Sequence, residues 1–161
     1  MKTFLALLLS LLTAQAADLD VRDTADRDIV KQRMVRFLAA EGREPRMTEG
    51  TVLITDRGLH ITHKPVVDAK GLDRIIITCG FPGTGKPTGA KYAAVNQLNE
   101  IFNTCAISLD QNGDVIFRFN LTFSDVLTGK EHREFMAFLH GFLGDFLDDP
   151  KTKDLRELIM E

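Results

Sequence analysis

The segment from Val115 to Phe123 constrains the fold more than any other part of the chain. Val115, Phe117, Phe119, Leu121 and Phe123 alternate with Arg118, Asn120 and Thr122. A period of two sends successive side chains to opposite faces of a strand, so one face is apolar and the other wet. That is the pattern of an antiparallel sheet covered on a single side. The run Ala106 to Asp110 precedes it across Gln111-Asn112-Gly113. Asn-Gly is the strongest short hairpin cue, since both residues tolerate left-handed dihedrals.

The elements around this hairpin read in order. Ile29, Val30, Met34, Phe37 and Leu38 recur at helical spacing and Gly42 supplies a stop, predicting an amphipathic helix. Thr51 to Thr55 and Leu59 to Thr62 form a hairpin turned by Asp56-Arg57-Gly58, and Pro65 interrupts its second arm. Arg74 to Cys79 is a third strand; Ile75, Ile76 and Ile77 do not alternate, which predicts a central strand covered on both faces, or at least deeply placed. A helix follows from about Lys91 to Asn103. The last long helix, from about Lys130 to Asp148, carries a broad aromatic stripe of Phe135, Phe138, Phe142 and Phe146. Pro150 ends it, and residues 150–161 form a tail or short helix that docks loosely. The class is α+β, an antiparallel sheet with helices packed on one face, in the order α-β-β-β-α-β-β-α.

Residues 1–16 stand apart. Met1 and Lys2 form a short positive region, Phe4 to Leu12 an apolar one, and Ala14-Gln15-Ala16 a small-x-small cleavage pattern. The apolar run falls short of the roughly 20 residues that span a bilayer. A cleaved signal peptide is therefore expected, with the mature chain beginning at Ala17, no stable membrane anchor and a periplasmic or secreted location. Residues 17–27 are expected as an exposed lead-in, and residues 28–149 as a single domain. In an oxidising compartment Cys79 and Cys105 are open to a disulfide contributing about 3 kcal/mol. Two buried free thiols fit the sequence equally well.

The loop from Gly80 to Lys86 spells Gly-x-x-x-x-Gly-Lys between a strand and a helix, as a phosphate-binding loop does. The residue after the lysine is Pro87, which has neither the N–H of the phosphate cradle nor the hydroxyl that holds Mg²⁺. Hairpins in place of alternating strands and helices also argue against a nucleotide-binding sheet. His60 and His63 point to opposite strand faces, and His132 and His140 lie roughly 12 Å apart along a helix, so no metal-ligand pair is local. No nucleophile, base and orienting group cluster in sequence. The net charge of −3 and the absence of a basic run with interleaved aromatics argue against nucleic acid. The sequence thus offers no catalytic residues and no cofactor or metal site.

From Asn96 onward the chain reads NQLNEIFNTCAISLDQNGDVIFRFNLTFSD, followed by the Phe-rich helix. This resembles the YbjN-like family of bacterial sensory transduction regulators over Tyr92 to Asp148, with Asn96 and Asn99 in the helix and Asp110 to Gly113 in the hairpin. The resemblance implies a type III secretion chaperone-like fold over residues 28–149 and a binding module, often self-associating, without catalytic residues. The expected function is a non-enzymatic exported binding, chaperone-like or regulatory domain acting on a protein or peptide, with a homodimer open. Edge strands would accept an extended segment or a second copy, and Phe135, Phe138, Phe142 and Phe146 form the candidate partner surface, the equal alternative being that all four belong to the core. The alternative is a small-molecule or nucleotide-binding module using Gly80 to Lys86.

Overall fold

A computed structural model describes residues 19, 21–22, 26–68, 71–83, 85–123 and 126–160. The expected signal peptide and its cleavage site lie outside the described residues, as does Thr84 of the glycine loop. The described elements are β1 (Val21–Arg22), α1 (Arg27–Ala40), β2 (Arg46–Met47), β3 (Val52–Asp56), β4 (Leu59–Asp68) and β5 (Gly71–Phe81). They continue with α2 (Gly89–Ile101), β6 (Ala106–Leu109), β7 (Val115–Thr122), β8 (Val126–Leu127), α3 (Gly129–Asp148), a 3₁₀ turn (Pro150–Thr152) and α4 (Lys153–Met160).

Six strands form one sheet in the order β2-β3-β4-β5-β7-β6, each pair antiparallel. Val52, Ile54, Ile61, Ile75, Ile77, Cys79, Ile107, Phe117 and Phe119 are buried on its covered face beneath the helices, in one core with Met34, Phe37, Leu98, Leu139 and Phe146. Arg118, Asn120 and Thr122 are exposed on the other. The class is α+β, as the alternation of β7 predicts. β5 is central, between β4 and β7, as its isoleucine run predicts, but Ile76 is only half-buried, so the strand is covered on one face and not on two. The isoleucine run satisfies β propensity on a half-wet face.

Three local readings change. β4 does not break at Pro65 but continues to Asp68 paired with β5, Pro65 standing opposite Ile75. Pairing with β3 ends at Val52 and His63, so Pro65 lies where one edge of β4 has no neighbour in the sheet and a missing N–H is tolerated. The two-residue turn with both φ values positive is Arg57-Gly58, at 51° and 82°. In the β6–β7 connection only Gly113 is left-handed, at 92°. There the Asp110 carboxylate accepts from the N–H groups of Asn112 and Asp114 and organises a longer loop. The lead-in is not wholly exposed: Leu19 is buried, and β1 pairs with β8.

Helix boundaries follow their capping chemistry. Asp26 caps α1, and Thr128 with Glu131 forms a reciprocal capping box on α3. Gly42, at φ 76°, donates to the Ala39 carbonyl while Arg43 donates to Leu38, closing α1 with a left-handed reversal. The tail does not dock loosely. Ile159 of α4 is fully buried, and Arg156 donates to the Asp149 carbonyl while lying 5.9 Å over the Phe146 ring. No described helix is long and apolar enough to cross a membrane.

The edge at β6 is closed. Asn99 of α2 donates to the Ile107 carbonyl at 2.8 Å and accepts from the Ile107 N–H at 2.8 Å. A side-chain amide thus occupies the outward N–H and C=O of Ile107, which an added strand would need in the middle of this short edge.

Candidate functional site

Between α1, β3 and α3 a cleft of about 230 Å³ opens over Asp56. The reversal at Gly42 brings Arg43 back from the end of α1 towards β3, and the turn at Arg57-Gly58 ends β3 with Asp56 facing the core side. Asp56 accepts from Nη1 of Arg43 and, at 2.9 Å, from Nε2 of His140. Burial by itself would raise the Asp56 carboxyl. The His140 hydrogen bond, the Arg43 and His140 charges and the Arg43 hydrogen bond outweigh it and hold the carboxyl below its ordinary value. Across the rim Arg133 of α3 pairs with Glu41 at 3.0 Å.

Two turns of helix before His140, His132 is buried with its Nε2 3.1 Å from Nε2 of His63 on β4. The Phe37 ring packs edge-on against His132. Burial, reinforced by the His132 charge and weakly opposed by the Val52 main chain, depresses His63 to about 3. Burial and the Arg133 and Arg43 charges depress His132 to about 4. Both rings are therefore neutral at pH 7, and one donates to the other. Nδ1 of His63 is buried without a hydrogen bond of ordinary geometry.

His140 held by a buried carboxylate can accept or donate a proton at Nδ1, which has no partner among the described residues. The described lining includes no Ser, Thr, Cys or Lys that this imidazole could activate. Among the described residues no three His, Cys, Asp or Glu are grouped to hold a metal ion. These pairs escape a sequence reading because their members are 69 and 84 residues apart. The eight-residue spacing of His132 and His140, which brings them back to within about 80° of each other around the helix, is the one local hint.

The aromatic stripe divides. Phe146 is 0% exposed and stacks edge-on with Phe117 at 4.8 Å, so it belongs to the core and not to a partner surface. Phe135 and Phe142 are half-buried against Phe119, at 6.1 and 5.4 Å. Phe138 stands 46% exposed between them, 6.0 Å from Phe135 and 6.2 Å from Phe142.

Of the two readings open for the cysteines, the disulfide does not form; Cys79 and Cys105 are free thiols. Cys79 and Ile107 both face Phe117, so β7 separates β5 from β6. Two strand spacings, about 10 Å, exceed the roughly 7 Å between Cα atoms that a disulfide allows. Burial and the Cys105 charge push Cys79 up to about 12, and burial pushes Cys105 up to about 11.

The glycine loop is packed. Gly83 donates to the Asp114 carboxylate at 3.0 Å, and a Cβ on Gly83 would lie 1.8 Å from the Gly113 carbonyl oxygen. An amide that a phosphate would need is thus taken by an acid, whose charge would repel the phosphate. Lys86 is exposed, and Thr88 caps α2. No family model, curated protein or solved structure matches the chain.

Proposed function

We propose that this chain is a non-enzymatic exported domain that binds a protein or peptide partner through the side of α3. The observation that carries the reading is Phe138, left half exposed among the rings of Phe135 and Phe142 on a helix whose inner face is already buried. A large aromatic held by neighbouring rings loses little conformational freedom on contact, which suits it as an anchor in a partner's pocket. Closure of the β6 edge by Asn99 favours docking on the helix face over strand addition at that edge. The YbjN-like resemblance and the signal-like N-terminus point the same way, towards a binding module acting outside the cytoplasm.

A photo-crosslinking side chain at Phe138 tests this, with Asn120 on the wet face as the control. The expected result is a discrete adduct from Phe138, recovered from the exported fraction and absent from Asn120. An adduct with a second copy of the chain would identify the partner as itself. Equal labelling from both positions, or none from either, would remove α3 as the docking face.

A further inference from the structure

Arg57 stands in a conformation that its type does not favour. Its φ of 51° is left-handed, at the first position of a two-residue turn where Asn, Asp or Gly is the rule. A long cation kept there against local preference points from a backbone outlier to a use. Arg57 lines the cleft over Asp56 and has no hydrogen-bonded or charged partner among the described residues. Arg43 spends Nη1 on Asp56, and its other guanidinium N–H groups have no partner among the described residues.

The charges do not balance. Three arginines, Arg43, Arg57 and Arg133, face two acids, Glu41 and Asp56, and both acids are already paired. One positive charge is left over in a chain whose net charge is −3. Phe37, Leu38, Ile54 and Met136 supply apolar walls. A concave, largely apolar site with a few convergent polar groups is the ordinary form of a small-ligand site, and at about 230 Å³ this one is smaller than the roughly 300–1,000 Å³ of drug-sized sites.

We propose that the cleft binds a small carboxylate with an apolar body, its anionic group taken by Arg57 and the free edge of Arg43. The guanidinium fork matches the two oxygens of a carboxylate, and a single excess charge suits a monoanion better than a phosphate dianion. A free short-chain acid and the C-terminus of a peptide ending in an apolar residue present the same chemistry. This site is separate from the aromatic side of α3 and stands independently of that reading.

The test is an NMR titration of the intact protein with hexanoate, with hexanamide as the uncharged control. A pentapeptide ending in Leu, as free acid and as C-terminal amide, forms the second arm. The expected result is saturable shifts of the Arg43, Ile54 and Arg57 amides with an acid form and none with its amide. Arg57→Asn should weaken that binding about tenfold, the loss of one charge-assisted hydrogen bond. Its melting temperature should be unchanged or raised, because Asn-Gly is the preferred pair for this turn. Tighter binding of hexanoate identifies a free acid as the ligand class, and tighter binding of the free-acid peptide a captured C-terminus. No saturable shift with either acid, equal shifts with the amides, or unchanged affinity in Arg57→Asn would overturn the proposal.

Discussion

Nε2 of His132 lies 3.1 Å from Nε2 of His63 in the buried core, so the pair holds a single shared proton between two neutral rings. Both folded values lie below the ordinary 6.5, at about 3 and about 4. As the pH falls the unfolded chain takes up these protons first. Stability is therefore full above about pH 6.5 and is lost as the pH drops from there towards 4 and 3. Each differential proton is worth about 1.4 kcal/mol per pH unit, against a total stability on the order of 5–15 kcal/mol. Urea denaturation between pH 7.5 and 4.5 should show a steep loss, flattened in the double variant His63→Leu/His132→Leu. Equal slopes in the two proteins would show that the pair is not the source.

Asn99→Ala should cost about 1–3 kcal/mol, because it leaves the N–H and C=O of Ile107 unpaired at a sheet edge. Asn99→Asp keeps the acceptor for the Ile107 N–H and loses the donor, so it should fall between. Hydrogen exchange at Ile107 should accelerate in Asn99→Ala more than exchange elsewhere in β6, and an unchanged rate would exclude the edge-closing role.

Gly113→Ala should destabilise by about 3 kcal/mol or more. A Cβ there would sit 1.9 Å from the Gly85 carbonyl oxygen, and φ is 92°. By contrast, Gly141→Ala meets nothing within 4 Å in the middle of α3 and should stabilise by about 0.5–1 kcal/mol through helix propensity. Thermal melts of the two variants should move in opposite directions.

Cys79 and Cys105 should both remain reducible-reagent-insensitive thiols, with no change in melting temperature on adding dithiothreitol, since no bond joins them. In the folded protein Cys79, buried and pushed up to about 12, should react with a thiol reagent at pH 8 only as fast as the domain opens. Half-buried Cys105 should react first. Prompt labelling of Cys79 would contradict its placement in the core.

The parts of the fold written as short-range periodicity were legible. The alternation from Val115 to Phe123 marks which side of β7 is covered, and Asp110 acts as turn chemistry as its position before Gln111-Asn112-Gly113 suggested. What failed depended on neighbours. Pro65 looks like a breaker until the strand beside it is seen to stop short, and Phe146 looks like its stripe-mates until helical phase sets it with Leu139 and Leu143 against the sheet. Leu19 sits in a charged segment whose composition says exposed. The cleft was the least legible, because Asp56 reads as part of a turn and His140 as a surface or partly buried histidine with no partner in sequence. Only the docking of α3 against the end of β3, across 84 residues, makes them partners.

The close approach of Gly83 and Gly113 has a consequence for the lengths of the two connections they belong to. Main chain lies against main chain, with no side chain between them to yield. An added residue in either segment has no room to bulge inwards and must lift the other off the end of β7, taking the Gly83 to Asp114 hydrogen bond with it. The two connections therefore behave as a matched pair whose lengths change together or not at all.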